Sequence, residues 1–94
     1  MNDKDIIKQL DSQIPQPYRT YTEYAVIIGN KPCFAHQPGV RGCWRIDFLD
    51  NNGYTVLVRI NQKGRVVDEG IIEINTKKNV AEFIKKHKQM RGVE

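Results

Sequence analysis

The apolar positions of the chain change period several times, and each change marks an element. Between Asp3 and Ile14, residues Ile6, Ile7, Leu10 and Ile14 recur at helical spacing, and Pro15 and Pro17 end the run. This predicts an amphipathic helix over residues 1–15 that lays its apolar stripe on the body of the protein or on a partner. From Tyr18 to Asn30 the chain is rich in β-branched and aromatic residues and reads as a strand, deepest at Ala25 to Ile28. Lys31 to Gly42 holds two prolines and two glycines without a sustained period, so it reads as a loop, of a length that is often functional.

The clearest alternation follows. Trp44, Ile46 and Phe48 share one face of a strand, and Arg45, Asp47 and Leu49 the other; Tyr54, Val56, Val58 and Ile60 alternate with Thr55, Leu57, Arg59 and Asn61. Asn51-Asn52-Gly53 and Gln62-Lys63-Gly64 supply residues tolerant of positive φ where tight hairpins need them. A third run, from Arg65 to Ile74, is interrupted at Asp68-Glu69-Gly70, where a glycine within a strand suggests a bulge or a short break before Ile71 to Ile74. Asn75 or Thr76 then caps a second amphipathic helix bearing Val80, Phe83, Ile84 and His87 at i, i+3, i+4 and i+7. The expected fold is a single α+β domain: an N-terminal helix (1–15), a four-stranded antiparallel meander sheet (18–75) and a C-terminal helix (76–91), with both helices on one side of the sheet.

Length and composition agree with one small soluble core, at 94 residues, 39% apolar and 28% charged. No apolar run approaches the roughly 20 residues of a bilayer span, and the N-terminus lacks the apolar stretch of a secretory signal, so a cytoplasmic location is expected. Charge is informative once located. Residues 1–75 carry nine Lys/Arg against nine Asp/Glu, whereas beyond them Lys77, Lys78, Lys85, Lys86, Lys88 and Arg91 face only Glu82 and Glu94. A basic end on a balanced body suggests an anionic partner, although lysines on a helix face, and near its C-terminus above all, also have a purely structural use.

The strand order and the junction Gly70-Ile71-Ile72-Glu73-Ile74, leading through a polar turn to the Val80, Phe83, Ile84 stripe, resemble the single-stranded DNA-binding fold of the positive-cofactor-four and Whirly families over about residues 20–90. The resemblance implies a homodimer with single strands lying across exposed β-faces. The N-terminal helix and the segment with Cys33 and His36 lie outside it.

A nucleic-acid surface requires bases for phosphates and aromatic faces for stacking. The candidate nucleic-acid-binding residues are Lys31, Arg41, Arg45, Arg59, Lys63, Arg65, Lys85, Lys86 and Lys88, with Tyr54 or Trp44 as platforms. The competing reading places Trp44 in the core and pairs the arginines across strands, with Asp47 near at hand. Cys33-x-x-His36 with Cys43 has zinc-like spacing but lacks a fourth ligand. A disulfide between the two cysteines is disfavoured in the cytosol, which leaves inert packing as their simplest role. Asp68, Glu69 and Glu73 suggest a Mg²⁺ nuclease centre, but Asn75 stands where a lysine is expected. No catalytic residue, cofactor or metal is therefore expected. The leading expectation is a small non-enzymatic nucleic-acid-binding protein, with single-stranded DNA as the implied ligand and a homodimer as the implied state. The alternative is a protein-binding inhibitor or adaptor from a phage or mobile element, presenting a sheet edge or the N-terminal helix to a protein partner.

Overall fold

The computed structural model describes residues 3–37 and 43–92. Helix α1 (Asp3–Gln13) precedes strands β1 (Tyr24–Ile28), β2 (Lys31–His36), β3 (Trp44–Leu49), β4 (Tyr54–Ile60) and β5 (Val66–Ile74), and helix α2 (Lys77–Met90) comes last. The strands make one antiparallel sheet in the order β1-β2-β3-β4-β5. The α+β class and both helices match the sequence pattern. The sheet has five strands and not four, because residues 31–36 form β2.

The turn that makes this fifth strand is Gly29-Asn30, both with positive φ (56° and 65°), a two-residue hairpin between Ile28 and Lys31. Pro32 is tolerated in β2 because it pairs with Ile27 but lies one residue ahead of the β2–β3 ladder, which begins at Cys33. Tyr18 to Glu23 is not part of a strand; Tyr21 has φ 64° and its N–H donates to Gln37 O at 2.8 Å. The two later hairpins share one device. Asp50 Oδ1 accepts from the N–H groups of Asn52 and Tyr54, and Asn61 Oδ1 accepts from those of Lys63 and Arg65.

The two helices lie on opposite faces of the sheet, not on one side. Leu10 of α1 and Ile14 just after it join Val26, Cys33, Ala35, Trp44, Ile46, Val56, Val58 and Ile60 in the buried core, which therefore sits on the face that Trp44 and Ile46 share. Helix α2, capped by Thr76, packs on the other face of β2: the Phe83 ring stands edge-on to Phe34 with centroids 4.8 Å apart, and buried His87 Nε2 lies 2.7 Å from Val26 O. Ile84, expected on the buried stripe, is 37% exposed, since the helix touches the sheet along the line of Phe83 and His87.

The two sheet edges differ. On β1, the Gln13 amide mimics a strand, donating to Ile27 O and accepting from Ile27 N, both at 2.7 Å. Gln9 accepts from Gly29 N, and Arg91 donates to Ala25 O. Side chains from both ends of the chain thus occupy the polar groups of this edge. Gln13→Ala is expected to cost about 1–2 kcal/mol, the loss of two hydrogen bonds at about 0.5–1.5 kcal/mol each softened by water. A urea unfolding midpoint would measure it, and an unchanged midpoint would mean that water replaces the amide without loss.

Strand β5 forms the other edge, and all nine of its residues are exposed. It is continuous through Asp68-Glu69-Gly70; the irregularities fall at Val67 and Ile72, where the register with β4 slips, while Gly70 pairs with Leu57.

Candidate nucleic-acid interface

The pairing register lines up side chains across the sheet. His36 of β2 is opposite Arg45 of β3, Arg45 is opposite Arg59 of β4, and Arg59 is opposite Asp68 of β5. These four residues form a row on the face that carries α2, toward the end of the sheet where His36 closes β2 and the β4–β5 turn lies. Lys63 and Arg65, both exposed, belong to that turn. Arg59 bonds Asp68 at 3.4 Å, with the two side chains 47% and 57% exposed, so the pair is solvent-screened and of small worth to stability. Like charges directly opposite each other on a sheet destabilise it, and the Arg45–Arg59 pair is such a case.

The other candidates divide. Lys31 lies at the opposite end of the sheet and on the opposite face, its Nζ 5.2 Å from the Phe48 centroid. Lys86 is held by Glu23 at 2.8 Å and lies over Phe34 at 4.7 Å. Lys85 and Lys88 are exposed on α2. Arg41 lies outside the described residues. The candidate residues therefore do not form one surface; Arg45, Arg59, Lys63 and Arg65 share one end of the sheet.

Neither aromatic platform borders that row. Trp44 is buried in the core against Tyr18, ring centroids 5.3 Å apart. Half-buried Tyr54 points to the core face, opposite to Arg45 and Arg59, as alternation along β4 requires. Core packing of Trp44 was one of the two readings open to its sequence, and it is the one the structure bears out.

Between α2 and the sheet runs a cleft of about 340 Å³ in which Glu23, Asp47, Glu73 and Glu82 outnumber Lys86. Asp47 Oδ1 is buried there without a hydrogen-bond partner. Burial raises the Asp47 carboxyl above its ordinary value, Glu23 adds to the effect, and Arg45, His36 and Lys86 oppose it. With the folded value above the unfolded one, the folded state takes up the proton first, so stability falls as pH rises through the interval. Asp47→Asn is expected to stabilise the protein near neutral pH, with the gain fading as acid protonates Asp47 in the parent. Denaturation midpoints of both proteins across that range test it; a constant difference at every pH would show that Asp47 does not titrate between the states.

The chelation reading fails on the register. Cys33 and His36 are three apart in a strand and so point to opposite faces. Cys33 pairs with Phe48, five residues along from Cys43, a span of about 16 Å that neither a disulfide nor a shared metal bridges. Among the described residues no group of three or more His, Cys, Asp or Glu could hold a metal ion. Neither cysteine is in a disulfide, and burial pushes Cys33 up to about 11, which suits an inert core residue. Glu69 faces away from Asp68 and Glu73, so these three acids do not converge either.

Two features escaped the sequence pattern. His36 joins the row only because residues 31–36 are a strand, and the signal for that was the Gly29-Asn30 turn between two apolar stretches. The exposure of β5 on both faces had no signal, since its aliphatic residues look like core. No family model, curated protein or solved structure matches this chain.

Proposed function

We propose that this protein is a small non-enzymatic nucleic-acid-binding protein that holds backbone phosphates at the basic end of its sheet. The observation that carries the reading is Arg45 placed directly opposite Arg59, both side chains exposed, with His36 beside them. Such a pair works against folding and gains from a bound anion, since a phosphate between two guanidinium groups turns repulsion into two charge-assisted contacts. Exposed Lys63 and Arg65 extend the positive end. The acids of the neighbouring cleft repel phosphate and confine it there.

Phosphates position a protein without reading sequence, and neither Trp44 nor Tyr54 borders the row, so the reading is backbone recognition with little base preference. The single-strand preference implied by the resemblance would need stacking partners that Trp44 and Tyr54 do not offer beside the row. Two cysteines outside any disulfide fit a reducing cytoplasm.

The test is fluorescence anisotropy with labelled single-stranded DNA, duplex DNA and RNA at low and moderate salt. Micromolar binding to all three is expected, with log affinity falling by about 3–4 per decade of salt if four bases neutralise phosphates, at about 0.7–0.9 each. Absence of binding at low salt, or binding indifferent to salt, would overturn the reading.

A further inference from the structure

Strand β5 is bare where β1 is occupied. Val66, Val67, Ile71, Ile72 and Ile74 are 40, 51, 61, 52 and 72% exposed, an unusual density of aliphatic surface for a sheet edge. The chain after β5 does not shield it: Asn75 bonds Thr55 Oγ1 at 2.6 Å and Asn79 bonds Glu73, folding α2 back over the sheet and away from the edge. Gly70 adds a second observation. It has no positive φ, and a Cβ there would meet nothing within 4 Å, so nothing within one molecule calls for a glycine in the middle of this strand.

We infer that β5 pairs antiparallel with β5 of a second copy about a dyad at Gly70, joining two five-stranded sheets into one of ten. The strand's own pattern selects this occupant and register. Centred on Gly70, Val66 meets Ile74, Val67 meets Glu73, Asp68 meets Ile72 and Glu69 meets Ile71, so all nine residues pair and no carboxylate opposes another. A shift of two residues in one direction sets Glu69 against itself, and in the other sets Glu69 against Glu73. The Gly70 register also keeps faces consistent, because Val66, Glu69, Ile71 and Ile74 all lie on the core side in β5. Its charges complement: Arg65 falls diagonal to Glu73 of the second copy, within reach of a long side chain, and symmetry makes the contact twice. Ile74, the most exposed of the aliphatics, then lies against Val66, at the rim of an apolar cleft of about 240 Å³ that Ile6 and Val58 also line. A dyad through paired edge strands runs perpendicular to the sheet, so both arginine rows come to the same side. The inference stands independently of the phosphate reading.

The test is sedimentation equilibrium of the full chain and two variants, with folding checked by far-ultraviolet circular dichroism. The parent is expected at twice the monomer mass. Ile71→Glu places a carboxylate opposite Glu69 of the second copy, twice by symmetry, and is expected to raise the dissociation constant at least about tenfold; Ile71→Lys places a cation there and is expected to remain dimeric. In a Cys43→Ser background, Gly70→Cys should form a covalent dimer on mild oxidation. A parent that stays monomeric up to its solubility limit overturns the inference and leaves β5 to a strand from another protein. A dimer indifferent to Ile71→Glu, or lost equally in Ile71→Lys, overturns it as well.

Discussion

Replacing Trp44 with alanine is expected to destabilise the protein by about 3–5 kcal/mol, the usual range for removing a buried tryptophan. The side chain is 5% exposed, sits opposite Ile60, which is fully buried, and packs against the Tyr18 ring. It therefore joins the sheet core to the irregular segment that follows α1. Small domains possess about 5–15 kcal/mol in all, so the variant should melt far below the parent or be partly unfolded at room temperature. Chemical denaturation followed by circular dichroism gives the difference, and a loss below about 1 kcal/mol would show that the core is not organised around this ring. Trp44 emission also bears on function. Alternation along β3 turns its ring to the face opposite Arg45, so emission is expected to stay unchanged when nucleic acid binds. Quenching on binding would indicate stacking on Trp44 and a different site.

The largest functional effect is expected from Arg45→Glu combined with Arg59→Glu. Each substitution removes a charge-assisted phosphate contact worth about 1.5–3 kcal/mol, roughly tenfold or more in affinity, and adds a repelling carboxylate. Together they should bring binding at low salt below detection. Stability is expected to change little, because both side chains are exposed, although glutamate at 59 faces Asp68 where an arginine did. Lys31→Glu is the useful control: that residue lies at the other end of the sheet and on the other face, and its replacement should lower affinity only through net charge.

Much of the fold was legible because its elements are half-solvated. The alternation of Trp44, Ile46 and Phe48 with Arg45, Asp47 and Leu49 names both the strand and the buried face, and Asn51-Asn52-Gly53 fixes the next turn. Strand β2 was illegible for the converse reason. Cys33, Phe34 and Ala35 are all buried, one face of the strand lying toward α1 and the other toward α2, so no alternation survives, and Pro32 with the glycines downstream gives the segment the composition of a loop. Helices on both faces are the cause of that lost period. Strand β5 misleads differently: Val66, Val67, Ile71, Ile72 and Ile74 have the composition of core, and its place at an edge is a property of strand order that no local pattern carries. Gly70 likewise reads as a bulge or a break, yet it pairs with Leu57 and the irregularities fall at Val67 and Ile72 on either side.

The candidate site was legible as a list of bases and not as a surface. Arg45 and Arg59 were each assigned correctly to the polar face of a strand, but their direct opposition depends on the register set by the Asp50 and Asn61 turns. Lys86 looked like its neighbours on α2, whereas its contacts with Glu23 and Phe34 separate it from them.

The measurement that tests phosphate binding by the arginine row most directly is the salt dependence of affinity for one oligonucleotide, compared between the parent and Arg45→Ala/Arg59→Ala. Loss of two phosphate contacts is expected to lower the slope of log affinity against log salt by about 1.4–1.8, at about 0.7–0.9 per contact, along with affinity itself. A folded double variant with the parent's slope and affinity would contradict a role for the row in binding.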